Sequence, residues 1–357
     1  MPTLTKDVLH GVTAAIIRAT GAPDDIAAQV ADVLVDNHLA GHDAHGILRI
    51  PEYVQSVRAG EIVAAARPQI LRESATSALI SGNWAFGQVT ALFAADLATE
   101  KAKRERVAAV SVVQANHTGR LAAFTERAAR QNVVMFMAIG TVERPMTAPY
   151  GGTAPVLGTN PISFSIPNPG GIPITLDFAT STIAAGKIKL AKAKHEQLPA
   201  DAILDRDGRP SPDPQAFFEG GCLLPFGGHK GYALAVIAEI LSGPLVGAEA
   251  YPGVMNRSGI FFFAMDAAVF RPLTEYKQAL AKTLGRIKAV PPASGFDEVM
   301  VPGEPEARAR VQRERDGIPI PEDTWQAVCK VGRELGVNVE ALAARRRKPH
   351  TPEPLDL

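Results

Sequence analysis

Two short segments place histidines where proton transfer could be done. His42-Asp43-Ala44-His45-Gly46 is followed one turn later by Arg49, and Asn116-His117-Thr118-Gly119 closes an apolar run and opens a helix. Histidine changes charge near neutral pH, and an arginine fork binds a carboxylate through two parallel hydrogen bonds. Exposed backbone N–H groups at a helix start favour an anion. A third segment, Gly227-Gly228-His229-Lys230-Gly231, offers the same feature where a glycine-rich turn enters an apolar helix. Plainer readings stand beside these: His117 as an ordinary helix-start residue, and the glycine turn as the mere beginning of a helix. His38, His42 and His45, at steps of four and three, could also share one helix face. As ligands beside Asp43 they would suit a metal-dependent hydrolase or lyase. Gly41 interrupts that helix and no Glu completes a His-Glu-x-x-His signature, so the trio reads better as structural and no metal is expected.

Common signatures are missing. No Gly-x-Gly-x-x-Gly follows a strand, so a Rossmann unit is not expected. Gly227 to Gly231 lacks the spacing and the Ser or Thr of a phosphate loop of the Walker type, and Gly-x-Ser-x-Gly, the serine-hydrolase elbow, is absent.

The elements that must hold these residues follow from periodicity. From Leu4 to Leu39 apolar residues recur at helical spacing, and Pro23-Asp24 after Gly21 suits a helix start, so the chain opens with two helices. Ser77 to Ile80 and Val107 to Val113 read as strands around a helix from Val89 to Lys103. Leu121 to Arg130 reads as a helix before a strand from Val133 to Ile139. Residues 141–230 are turn-rich but too long for one connector, and such stretches usually carry function. Gly231 to Leu241 predicts a helix, Gly259 to Met265 a strand, Leu273 to Leu284 a helix, and Pro305 to Leu342 helical structure. The pattern is α/β, a sheet covered by helices, with the N- and C-terminal helices forming one lobe and the sheet unit inserted between them. The corresponding boundaries are residues 1–70 with 300–357 for the helical part and 71–299 for the sheet part.

Composition narrows the function class. The 357 residues carry 37 basic and 37 acidic side chains, so nothing favours nucleic acid; the basic run Arg345 to Lys348 reads as a solvated tail. Two unrelated cysteines, Cys222 and Cys329, fit a reducing compartment. The first ten residues have no apolar signal core, and no window is long and apolar enough to span a bilayer, so a cytoplasmic protein without membrane contact is expected.

The same segments, in this order, resemble the type 2 malate/L-lactate dehydrogenase family, which includes ureidoglycolate and sulfolactate dehydrogenases and a cyclic-imine reductase. The resemblance spans nearly the whole chain. It rests on Gly41 to Arg49 with Tyr53; Gly82 and Gly87-Gln88; Asn116-His117-x-Gly119; and Gly151-Gly152 leading to Leu157-Gly158-Thr159-Asn160-Pro161. It continues through Leu176-Asp177-x-Ala179-Thr180-Ser181 with Gly186-Lys187, then Pro225-x-Gly227-Gly228-x-Lys230-Gly231-Tyr232, and Pro302-Gly303-Glu304. It implies a nicotinamide-binding sheet unrelated to Rossmann domains, NAD or NADP as cofactor, and a homodimer with active sites near the subunit interface. It implies hydride transfer between the cofactor and a small 2-oxo or 2-hydroxy acid.

By matching position, the resemblance implies cofactor contacts at His117, Thr118, Gly119, Arg120, Leu121, Thr141, Asp177, Phe178, Ala179, His229, Lys230, Pro302, Gly303 and Glu304. Substrate contacts are implied at His45, Arg49, Thr159 and Gly186. A carbonyl reduced by hydride leaves an alkoxide that needs a proton, so a histidine is the natural acid, and the base in reverse. His117 and His45 both qualify; His117 is preferred because it also borders the cofactor. Arg49 suits the substrate carboxylate, and Lys187 the polarisation of the carbonyl oxygen or proton transfer. Many relatives carry Ser where this chain has Ala44, and the cyclic-imine reductase branch pairs that Ser with an Asp where this chain has Lys187. Both departures favour oxo or hydroxy acids over cyclic imino acids.

Overall fold

A computed structural model of the chain describes residues 1–141, 145–251 and 258–344. The basic run at Arg345 to Lys348 lies outside the described residues. After strand β1 (Thr3–Leu4), helix α1 (Lys6–Ala19) begins at Thr5, whose hydroxyl accepts from the Val8 N–H, and α2 (Asp24–Leu39) begins with Asp24 and Asp25, acids that suit the positive end of the helix. Two single turns at 43–45 and 47–49 lead into α3 (Ile50–Arg58). Then follow β2 (Gln69–Glu73), β3 (Ser77–Ser81), α4 (Gly87–Glu105), β4 (Val107–Ala115), α5 (Ala122–Ala129) and β5 (Val133–Thr141). The strand–helix–strand order expected from periodicity is present, and β3 and β4 pair in parallel around α4.

The turn-rich middle holds more structure than its sequence suggests. It contains β6 (Ile162–Ile166), β7 (Ile174–Phe178) and α6 (Ala185–Lys194). A small sheet follows, made of β8 (Ile203–Leu204), β9 (Pro210–Ser211) and β10 (Cys222–Leu223), with α7 (Pro214–Phe218) between β9 and β10. β6 escapes a reading by apolar alternation because its inward side chains are polar. Ser163 and Ser165 are fully buried and lie 2.8 Å from the Thr125 hydroxyl of α5, a hydrogen-bonded contact standing where an apolar one would be expected. The chain continues through α8 (His229–Ser242), β11 (Ser258–Asp266), α9 (Leu273–Lys288), α10 (Glu304–Asp316), β12 (Ile318–Pro319), α11 (Glu322–Glu334) and α12 (Val339–Ala343). The helical stretch expected after Pro305 is therefore broken by β12, which pairs with β1.

The main sheet has the order β2-β3-β4-β11-β5-β6-β7, antiparallel except at β3–β4. One core joins the two ends of the chain: Leu9 and Ile16 of α1, Ile26 and Leu34 of α2 and Ile50 of α3 pack with Ile318, Ile320, Trp325 and Val328. A second core lies between the sheet and its helices, with Ala94 and Ala98 of α4 and Phe124 of α5 against Val110, Val112, Met135 and Phe262. Phe86 and Val89 belong to the first core, so α4 starts where the two bodies meet. Among the described residues, no helix is long and apolar enough to cross a membrane.

Candidate active site

The two histidine segments converge at that junction. β4 ends at Ala115, and the loop 116–121 is pinned at its first residue: Asn116 Nδ2 donates to the carbonyls of Glu61 (3.2 Å), Trp84 (2.9 Å) and Ala85 (3.0 Å). α4 begins against this loop, and only glycine permits the approach, since a Cβ on Gly87 would stand 2.3 Å from the backbone oxygens of Asn116 and His117. Gln88, fully buried, then reaches the loop, its Nε2 donating to the Tyr53 hydroxyl (2.7 Å) and to the Thr118 carbonyl (3.2 Å). The Tyr53 hydroxyl lies 2.8 Å from His117 Nδ1. Tyr53 itself is buried in α3 against the Phe86 ring.

On the other side, Asn37 Nδ2 donates to the His45 carbonyl (2.9 Å), and His38 is a brace. Its Nδ1 lies 2.8 Å from Asp43 and its Nε2 accepts from the Ile47 N–H at 2.9 Å. Gly46 gives this ring room, since a Cβ there would stand 2.2 Å from it. The result is a His45–His117 pair with ring centroids 5.9 Å apart and planes at 23°. Arg49 is held beside the pair by Nε donating to the Ala44 carbonyl (2.9 Å) and Nη1 donating to Glu52 (2.7 Å).

This arrangement removes the basis for the metal-dependent alternative. Both ring nitrogens of His38 are engaged, His42 Nε2 faces Glu306 at 3.3 Å, and His45 stacks on His117, so the three imidazoles do not turn toward one point.

Electrostatics set the protonation of the pair. Encirclement by protein, then the neighbouring His117 and the Arg49 guanidinium, pushes the His45 pKa down to about 3. The same loss of hydration, and again Arg49, pushes His117 down to about 3, although the residue as a whole is exposed. Both are neutral at pH 7. Asp43 is the opposite case: burial works to raise its pKa, but hydrogen bonds from His38 and Arg313 overcome this and hold it at about 2. In the unfolded chain a histidine takes up a proton near pH 6.5, while the folded pair stays neutral until about pH 3. The unfolded state therefore binds more protons across that window, and the pair's contribution to stability, present above pH 6.5, falls as the pH drops through it. The melting temperature is expected to fall less between pH 7 and pH 5 in His117→Gln than in the parent chain; equal slopes in paired melting curves would reject this.

Asp177, at the end of β7, reaches the same loop. Its Oδ2 accepts from the Ala122 N–H (2.7 Å), the first residue of α5, and burial raises its pKa to about 6 despite that bond and the nearby Arg120. β7 is the spine along which other candidate residues lie. Its Thr175 N–H donates to the Pro302 carbonyl (3.1 Å), and a Cβ on Gly303 (φ +99°) would stand 2.7 Å from the Pro173 oxygen. Phe178 meets Phe226 edge-on at 5.2 Å, which leads to the Gly227-Gly228 turn, where both residues have positive φ, and on to His229 beside Tyr150.

The Thr159 carbonyl accepts from Thr180. Gly186 and Lys187 are exposed in the first turn of α6, and no hydrogen bond or ion pair among the described residues joins Lys187 to the histidine pair. Thr141 is the last residue of β5.

Among the described residues, buried side-chain atoms without a hydrogen bond include Thr118 Oγ1 and Arg120 Nε and Nη1 on the loop 116–121, although the Arg120 guanidinium is ion-paired with Glu126 and, at 3.9 Å from Nη1, with Asp36. Buried polar atoms are ordinarily paired, so this concentration fits the phosphate, ribose and amide groups of a nicotinamide dinucleotide. Two features were not assigned roles from sequence. Tyr53 and Gln88 stood in the motifs, but only their contacts give them a function. Helix α10 also clamps the first histidine segment, with Glu306 on His42, Arg310 on Asp36, and Arg313 on Asp43 and the His38 carbonyl. The signal for α10 was the spacing 306, 310, 313, which places three charged residues on one helix face.

A family model described as malate/L-lactate dehydrogenase matches residues 4–329. The chain is similar to the L-sulfolactate dehydrogenase of Methanothermobacter thermautotrophicus, 36% identical over 333 residues that cover 91% of this chain and 95% of the relative. It is 34% identical to hydroxycarboxylate dehydrogenase B of Escherichia coli O157:H7 over 343 residues, covering 94% and 95%. Among solved structures, the sulfolactate dehydrogenase of Methanocaldococcus jannaschii superposes with a TM-score of 0.87 at 35% identity, over 95% of this chain and 99% of that one.

Proposed function

The chain belongs to the malate/L-lactate dehydrogenase family, whose relatives here are hydroxy-acid oxidoreductases, and from that premise we propose that it transfers a hydride between NAD or NADP and a small 2-oxo or 2-hydroxy acid. The observation that carries this reading is the His45–His117 pair set beside Arg49. When bound, the nicotinamide supplies or accepts the hydride. The residues that would hold it are His117 to Leu121, with the orphaned Thr118 and Arg120 atoms, then Asp177 to Ala179, His229, Lys230 and the turn Pro302-Gly303-Glu304. In this reading residues 71–299, which hold the main sheet apart from the first two residues of β2, are the cofactor-binding unit inserted between the two ends of the chain, which share one helical core.

Arg49 binds the substrate carboxylate. Pairing with an anion offsets its charge, one of the causes that keep both histidines neutral, so substrate binding makes His117 easier to protonate. His117 then gives a proton to the substrate oxygen in reduction and takes it back in oxidation, while His45 orients the substrate. Ala44 and Lys187, standing where the imine-reducing branch carries its Ser and Asp, favour a carbonyl over a cyclic imine.

The test is loss of near-ultraviolet absorbance of NADH and of NADPH, in turn, against a panel of 2-oxo acids and cyclic imines. Turnover of an oxo acid supports the reading, and the faster cofactor identifies the nucleotide. Turnover of cyclic imines with none of the oxo acids, or of nothing by the folded protein, overturns it.

A homodimer belongs to the same reading. The face of α8 that carries Leu234, Ile237 and Ile240 is exposed although the helix is strongly apolar, as expected of a surface covered by a second copy. Sedimentation at twice the chain mass is expected; sedimentation at the chain mass rejects it.

A further inference from the structure

We propose that Tyr53 is a positioning residue for His117: it donates its hydroxyl proton to Nδ1, so that the imidazole carries its own proton on Nε2. The functional consequence rests on His117 being the acid of the preceding section; the tautomer does not.

The direction of the chain of hydrogen bonds is fixed at its inner end. Gln88 Nε2 lies 3.2 Å from the Thr118 carbonyl and 3.4 Å from the His117 carbonyl, and backbone oxygens only accept. The amide must therefore turn its NH2 group toward them, because the reversed amide would set oxygen against oxygen. The cost of this orientation is visible in Gln88 Oε1, which is buried with no hydrogen-bond partner among the described residues. The same NH2 group donates to the Tyr53 hydroxyl at 2.7 Å. With that lone pair of its oxygen engaged, the acceptor that the Tyr53 O–H meets among the described residues is His117 Nδ1 at 2.8 Å. Tyr53 keeps the proton it needs for this, since it is buried and burial disfavours the phenolate.

An Nδ1 that accepts a hydrogen bond is not protonated, so the neutral ring has its N–H at Nε2. Nδ1 is committed to Tyr53 in the protein interior, while His117 as a residue is exposed. The resting enzyme thus presents a hydrogen-bond donor to the oxygen of a bound carbonyl. The ring becomes the acid of the preceding section on taking a second proton at Nδ1, from which the Tyr53 oxygen then accepts a hydrogen bond, so that giving up the Nε2 proton leaves a neutral imidazole. The backbone carbonyls of the loop itself, acting through Gln88 and Tyr53, choose this tautomer.

The experiment is a nitrogen-15 spectrum of the full chain labelled at its eight histidines, with His117 assigned by the resonance lost in His117→Gln. At pH 7 the expected result is protonated Nε2 and unprotonated, hydrogen-bonded Nδ1. A protonated Nδ1 overturns the proposal. In Tyr53→Phe, which keeps the ring packed on Phe86, the tautomers should mix. Turnover should fall at least about tenfold with KM within a few-fold, because a loosened acid forfeits part of a contribution of roughly a hundredfold or more. An unchanged His117 tautomer in that variant also overturns the proposal. If the variant does not fold, the parent spectrum alone decides. The spectrum needs no substrate, so the expected tautomer in a protein that turns over no oxo acid would sink the functional reading and leave this one standing.

Discussion

His117→Ala is expected to reduce turnover of a 2-oxo acid by about a hundredfold or more, the usual contribution of a positioned general acid, while cofactor binding stays measurable. The loop around His117 is held by Asn116 and by Gln88 on its carbonyls, neither of which uses the imidazole, so the backbone that would meet the cofactor should survive the substitution. Fluorescence titration with the reduced cofactor, run beside the rate measurement, separates the two effects. A variant that keeps more than about a tenth of the parent rate would transfer the acid role to His45, the neutral imidazole stacked 5.9 Å away. Loss of cofactor binding together with turnover would instead make His117 a binding residue.

Arg49→Lys is expected to lower kcat/KM for the oxo acid by about 10- to 150-fold, the range for losing a hydrogen bond to a charged group, with most of the change in KM. Lysine keeps the charge but not the planar fork, and it cannot both brace against Ala44 and Glu52, as Nε and Nη1 do now, and still offer a second donor to the substrate. Arg49→Gln separates charge from geometry. Its guanidinium is among the causes that depress the pKa of both histidines, so removing the charge should raise them. The alkaline limb of the pH profile for reduction, where the acid loses its proton, is therefore expected to move to higher pH in Arg49→Gln and to stay in place in Arg49→Lys. If neither variant changes KM, the carboxylate binds elsewhere.

The sequence by itself determined the elements whose apolar periodicity is strong: α1 and α2, the β3–α4–β4 unit, α5 with β5, and α8 and β11. It also determined the family, because seven short motifs in register specify far more than any one of them. It placed residue types suited to proton transfer and carboxylate binding at positions 45, 49 and 117, since residue type and order are properties of the chain alone. The tertiary structure decided the rest, for reasons of contact across sequence distance. β6 was hidden because Ser163 and Ser165 satisfy each other's side of the core through Thr125, a residue 38 and 40 positions away. The apparent trio at His38, His42 and His45 came apart because His38 is spent on Asp43 and the Ile47 N–H, while His42 faces a glutamate 264 residues distant. His45 and His117, 72 positions apart by subtraction of their numbers, became a pair only because α3 and α4 pack at one junction. Spacing along a chain can nominate a proton donor, but which nitrogen holds the proton depends on Tyr53 and Gln88, and those are brought to His117 by the fold.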